Sequence, residues 1–85
     1  MASSSFNLEH ITSIDYKATT DANGAFYIPV PLNQVLTVHG INPNFYALVR
    51  PGLNNQTVVT IFDADKNGFR VIPNTEVTVR IIYKV

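Results

Sequence analysis

The last ten residues, Glu76-Val77-Thr78-Val79-Arg80-Ile81-Ile82-Tyr83-Lys84-Val85, alternate apolar and polar side chains. A period of two places Val77, Val79, Ile81 and Tyr83 on one face of a β-strand. The rest of the chain repeats this pattern in short runs rich in Val, Ile, Thr, Tyr and Phe, broken by Asn-Gly, Asn-Asn or Pro, which is how consecutive strands and their turns read in a sequence. About seven strands are predicted: Phe6 to Ala18, Ala25 to Pro31, Gln34 to Gly40, Phe45 to Arg50, Thr57 to Asp63, Phe69 to Ile72 and Glu76 to Lys84. No capped window carries a 3.6-residue apolar repeat, and Pro29, Pro31, Pro43, Pro51 and Pro73 interrupt most candidate helices. The expectation is an all-β fold, a small antiparallel β-sandwich forming one domain over residues 6–85. Met1-Ala2-Ser3-Ser4-Ser5 reads as a flexible lead-in or a cloning remnant.

Three further expectations concern arrangement. Pro29 and Pro31 remove two amide donors from the same side of the second strand, which predicts an edge position. Asp21-Ala22-Asn23-Gly24-Ala25-Phe26 leading into Val35-Leu36-Thr37-Val38 has the layout of Asp65-Lys66-Asn67-Gly68-Phe69-Arg70 leading into Val77-Thr78-Val79. The layout suggests a weak internal duplication, with each Asn-Gly supplying a type I′ hairpin turn. If consecutive strands run antiparallel, the loops at 19–23, 41–44 and 63–67 collect at one end, and those at 32–33, 51–56 and 73–75 at the other. Loops on a rigid β scaffold are where binding residues concentrate.

Composition sharpens this picture. At 85 residues with no cysteine, neither disulfides nor a thiolate metal site supplements a modest core, which leaves oligomerisation or tight packing. With 46% hydrophobic and only 14% charged residues, against roughly 25% charged in ordinary domains, the chain has apolar surface to hide. Formal net charge is zero, the six basic residues being scattered, so there is no basic stripe and no nucleic-acid partner is expected. No apolar run approaches the roughly 20 residues of a membrane-spanning helix, and no membrane insertion is expected.

The candidate chemistry is sparse. Asp63-x-Asp65-x-Asn67-Gly68 matches the opening of a calcium-binding loop, but Asn74 stands where the closing glutamate belongs. A polar hairpin turn is the simpler reading. His10 and His39 lie within strand patterns with no nucleophile or third ligand at a telling spacing, and both read as structural or surface histidines; no enzyme and no cofactor is expected. His39 follows the face of Val35 and Thr37. Phe45 and Tyr46 with Arg50, near Asn42, Asn44, Asn54 and Asn55, form the inventory of a sugar site: an aromatic face for C–H surface, amides and a guanidinium for hydroxyls. The preferred site is His39, Asn42, Asn44, Phe45, Tyr46 and Arg50. Asn55-Gln56-Thr57 matches a glycosylation sequon, a pattern common by chance.

From Thr19 to Val85 the chain resembles the C-terminal tip domain of tail-fibre or baseplate receptor-binding proteins from phages of Gram-positive hosts. The resemblance rests on Thr19-Thr20-Asp21-Ala22-Asn23-Gly24, Ile28-Pro29-Val30-Pro31, Asp63-Ala64-Asp65-Lys66-Asn67-Gly68 and Asn74-Thr75-Glu76-Val77-Thr78-Val79. It implies a small β-sandwich at the virion tail tip, extracellular, assembled as a homotrimer, that binds a host cell-wall saccharide. No binding residue transfers from the family position by position. The alternative is a structural or adhesin β-sandwich that serves assembly without sugar recognition, and a small hydrolase stands third. Sugar binding calls for an exposed aromatic flanked by amides at a loop end or subunit seam, whereas assembly calls for a large apolar face and no such cluster.

Overall fold

The structure, a computed structural model, describes residues 10–41, 45–65 and 68–85. Its strands are β1 (Ile11–Thr19), β2 (Ala25–Ile28), β3 (Val35–Gly40), β4 (Phe45–Pro51), β5 (Thr57–Asp65), β6 (Gly68–Val71) and β7 (Glu76–Lys84). They form two antiparallel sheets, a three-stranded one in the order β1-β7-β3 and a four-stranded one in which β5 pairs with β4 on one side and with β2 and β6 on the other. The small antiparallel β-sandwich expected from the alternation is the fold. Single 3-10 turns at Leu32–Gln34 and Leu53–Asn55 are the nearest approach to helix among the described residues.

The core lies between the sheets. Val77, Val79 and Ile81 of β7 are buried, as their spacing predicts, and Tyr83 packs half-buried against them. Val59 and Ile61 of β5 face them from the other sheet, joined by Phe26, Ile28 and Val38. Central strands carry the fully buried side chains because only they have neighbours on both edges as well as on one face. Two threonines tie the connections to this core: Thr57 Oγ1 donates to Val30 O at 2.6 Å, and Thr20 Oγ1 donates to Ile72 O at 2.7 Å while accepting from Thr75 N–H at 2.9 Å.

β2 and β6 share one edge of β5 in tandem, β2 on Thr57–Thr60 and β6 on Phe62–Asp65. Ile61 marks the handover: its N–H donates to Gly24 O at 2.9 Å and its carbonyl accepts from Ile72 N–H at 3.0 Å. The edge position of β2 agrees with the proline argument, although the strand ends at Ile28, so the prolines follow it instead of lying within it.

Four expectations are corrected. Strict alternation of direction would make β1 and β7 parallel; they are antiparallel neighbours, Asp15 opposite Arg80. The 73–75 segment therefore lies beside 19–21, joined by Thr20 N–H to Thr75 O and Asn74 N–H to Asp21 O. The other loops at that end do meet, with Asn55 Nδ2 donating to Asn33 Oδ1 at 3.0 Å. Second, the duplicated layout is not a repeated unit, because β2 and β6 run in the same direction along β5 whereas β3 and β7 are antiparallel. No single operation relates the two pairs.

Third, Asn23-Gly24 is not a type I′ turn. Only Gly24 has positive φ there, +77°, and the turn carries the chain between sheets, closed by Gly24 N–H to Asp21 O and by the Asp21 carboxylate. The turn with two successive left-handed residues is Asn54 (φ 54°) and Asn55 (φ 63°), which joins β4 to β5. Asparagine tolerates that conformation better than other side chains. Fourth, a register shift between Val35 and Thr37 puts Val35 toward Tyr83 while Thr37 and His39 point outward. A bulge breaks the period of two.

Candidate functional site

The two outer faces of the sandwich differ sharply. On the three-stranded sheet, the outward positions include Asp15, Lys17, Glu76, Arg80 and Lys84, all exposed. Arg80 Nε donates to Asp15 Oδ1 at 2.8 Å and Arg80 Nη2 to Asp15 Oδ2 at 3.2 Å. That ion pair holds the Asp15 carboxyl below the usual carboxylate range, with His39 adding a smaller effect. This is an ordinary wet face, and both partners stay well solvated.

On the four-stranded sheet, the outward positions are Ala25 and Tyr27 of β2, Val58, Thr60, Phe62 and Ala64 of β5, Tyr46, Leu48 and Arg50 of β4, and Phe69 and Val71 of β6, fixed by the pairing register. Among the described residues of that face Arg50 is the single charge. The face divides into two regions.

The first is an open groove of about 780 Å³ around Tyr27 and Arg50, bordered by Asp21, Asn23, Gly52 and Leu53. Tyr27, Val58 and Arg50 form one row across β2, β5 and β4, so the tyrosine and arginine stand about 10 Å apart with a valine between them. Tyr27 is 57% exposed because Phe26 and Ile28 take the inward positions of the short strand. Arg50 Nη2 donates to Thr60 Oγ1 at 3.2 Å, which steers the guanidinium along the sheet surface. Asp21 Oδ1 accepts from the backbone N–H groups of Asn23 at 2.7 Å and Ala25 at 3.0 Å. Those amide bonds, Ala25's first, hold the carboxyl below its usual range. The groove thus sets an aromatic ring beside a guanidinium, a carboxylate and an amide.

The second region is an apolar hollow of about 400 Å³ lined by Tyr46, Ala47, Leu48, Phe62 and Phe69. Tyr46 and Phe69 meet edge to face, with ring centroids 5.4 Å apart and an interplanar angle of 82°. Such geometry suits the positive edge of one ring on the negative face of the other.

The sequence-predicted site is only partly assembled. Tyr46 and Arg50 share the outer face of β4, with Leu48 between them. Phe45 turns inward, half-buried against the core, and His39 is exposed on the three-stranded sheet, on the opposite side of the sandwich. Neither joins Arg50. Asn42 and Asn44 lie outside the described residues, and Asn54 and Asn55 are exposed in the β4–β5 turn. Tyr27, Asp21 and Asn23 were missed. The alternation of Phe26, Tyr27 and Ile28 already pointed Tyr27 outward, but only the β2-β5-β4 pairing puts it in line with Arg50.

The Asp63-to-Gly68 spacing falls at the end of a β-hairpin in which Asp63 opposes Arg70 and Asp65 opposes Gly68. Among the described residues no group of three His, Asp or Glu side chains is placed to hold a metal ion, and no helix is long and apolar enough to cross a membrane. Comparison with protein-family models, curated proteins and solved structures finds no significant match.

Proposed function

We propose that the domain is a non-enzymatic receptor-binding module that recognises a host cell-surface saccharide, working at a phage tail tip as a trimer. The observation that carries this reading is the groove where the exposed Tyr27 ring stands beside Arg50, Asp21 and Asn23. A pyranose offers one C–H-rich face and a rim of hydroxyls. The ring takes the first by apolar contact, while the guanidinium and amide donate to the hydroxyls and the carboxylate accepts from them. A shallow groove on a rigid sheet suits a polymer that runs across it, and its modest single-site affinity gains from several copies presented together.

Titration calorimetry with purified host cell-wall polysaccharide tests the reading. Tyr27→Ala and Arg50→Ala are each expected to weaken binding about tenfold or more, equivalent to 1.4 kcal/mol, while His39→Ala on the opposite face leaves it unchanged. Binding that survives both groove substitutions excludes this site, and a parent domain that binds no host glycan excludes the reading. The assembly alternative draws on the apolar region of the same sheet and is the reading left standing in that last case.

A further inference from the structure

We infer that the saccharide site is an extended trough whose far end is the Tyr46–Phe69 hollow, built for a linear glycan that places a methyl-bearing sugar, acetamido or 6-deoxy, a few rings away from the one seated on Tyr27. The inference rests on the saccharide reading and specifies the length and chemistry of the chain bound.

The two regions of the outer face are joined. Between them lies a further hollow of about 380 Å³, lined by Asn23, Leu48, Arg50, Thr60, Phe62 and Val71. It shares Asn23 and Arg50 with the Tyr27 groove, and Leu48 and Phe62 with the apolar hollow. A polymer seated on Tyr27 and passing Arg50 therefore has a continuous path along the sheet. The pairing register gives its length. Tyr27 stands opposite Val58 and Phe69 opposite Ala64, six residues further along β5, which is about 20 Å at the rise of an antiparallel strand. That is too long for a single sugar ring and suits a chain of a few.

The chemistry changes along this path. Tyr27 offers a ring at one end, Arg50, Thr60 and Asn23 hold the middle, and Tyr46 and Phe69, 51% and 68% exposed, offer rings at the other end. Arg50 commits one N–H to Thr60, and a guanidinium has five, so donors are left for hydroxyls at mid-chain. The far end differs from the first. Tyr27 has a carboxylate and an amide at hand, whereas among Tyr46, Ala47, Leu48, Phe62 and Phe69 only Tyr46 has a polar side-chain atom. A sugar with hydroxyls on every side would lose water there without gaining partners. A methyl group loses nothing and gains apolar contact. The edge-to-face packing of Tyr46 on Phe69 props each ring against the other, so the hollow has its shape before a ligand arrives.

Titration calorimetry with fragments of purified host cell-wall polysaccharide, graded from single sugars to chains that just span the trough, is the test. The parent is expected to gain about tenfold or more in affinity once the chain reaches the far rings. Tyr46→Ala and Phe69→Ala are each expected to cut that gain by about threefold to tenfold, and Tyr46→Phe, which keeps the ring, to retain it. Circular dichroism checks that each variant stays folded. In saturation-transfer NMR on the longest fragment, methyl protons are expected to be strongly saturated in the parent and weakly in Phe69→Ala, while protons held at Tyr27 keep their signal. The chemical shift of the saturated methyl tells an acetamido from a deoxy sugar. A parent that binds the polysaccharide through Tyr27, yet shows no gain with length and no effect of Tyr46→Ala or Phe69→Ala, overturns the extended site and leaves the groove reading standing. Methyl protons that stay unsaturated overturn the assigned sugar class. A parent that binds no host glycan removes the reading itself, and the inference with it.

Discussion

Gly24 sits where the two short strands β2 and β6 meet on the edge of β5, and replacing it with alanine tests the account of that junction. Its φ of +77° is left-handed, and an added Cβ would stand 3.0 Å from Val71 Cβ, 3.2 Å from Ile72 N and 3.3 Å from Ile61 O. Two of those atoms are backbone held by the Ile61 hydrogen bonds, so the neighbours have little room to give. The conformation costs about 1 to 2 kcal/mol for an L-residue, and forced overpacking adds about 1 to 3 kcal/mol. The total, about 2 to 5 kcal/mol, is a large share of the roughly 4 to 13 kcal/mol expected for 85 residues. Urea unfolding followed by circular dichroism or by the fluorescence of the four tyrosines, in a chain without tryptophan, gives the number, with protein concentration held fixed because association shifts apparent stability. Gly24→Asn separates the two causes. Asparagine tolerates positive φ but carries the same Cβ, so it should recover only part of the loss. A Gly24→Ala variant within about 0.5 kcal/mol of the parent, the scale of an ordinary surface change, would falsify the crowded junction.

Other outcomes follow from single contacts. Thr20→Val keeps the volume but leaves Ile72 O and Thr75 N–H without their buried partner, and a loss of about 1 to 3 kcal/mol is expected in the same unfolding assay; an unchanged midpoint would mean that the crossing is held by something else. Asn54→Ala, at φ 54°, should lower stability by about 1 kcal/mol, and Asn55→Gly should hold or raise it, checked by thermal melts. Asp15 and Asp21 both have carboxyl pKa values depressed in the folded state, so the stability they add is present above their unfolded values of about 4 and is lost as pH falls through the lower folded values. Urea midpoints should therefore drop between about pH 5 and pH 2, less steeply in Asp21→Asn; a flat profile over that range contradicts the assignment.

Most of the fold was legible in the chain because burial on one face imposes a period of two, and that period survives in Val77-Val79-Ile81 and in Phe26-Ile28 as in Phe45-Ala47-Val49. Turns were legible as places, since Asn, Gly and Pro mark where the backbone leaves the strand. Their type was not, because whether Asn23 or Asn54 adopts positive φ depends on the strands they join. Sheet membership and direction belong to the tertiary structure. Nothing local says that β6 takes up the edge of β5 where β2 stops, that β1 runs against β7, or that β3 and β4 join different sheets and so put His39 and Tyr46 on opposite outer faces.

The candidate site divides in the same way. Sequence alone supplied Phe45, Tyr46 and Arg50 as candidate aromatics and cation, without deciding which ring points outward. Only the register, with Tyr27 opposite Val58 and Val58 opposite Arg50, brought an aromatic from β2 to the arginine of β4. Only the assignment of strands to sheets left, among the described residues, one outer face with five charged side chains and the other with one. Period-two patterning tells inside from outside within a strand, but which outward side chains share one face is decided by strands far apart in the chain that come to lie side by side.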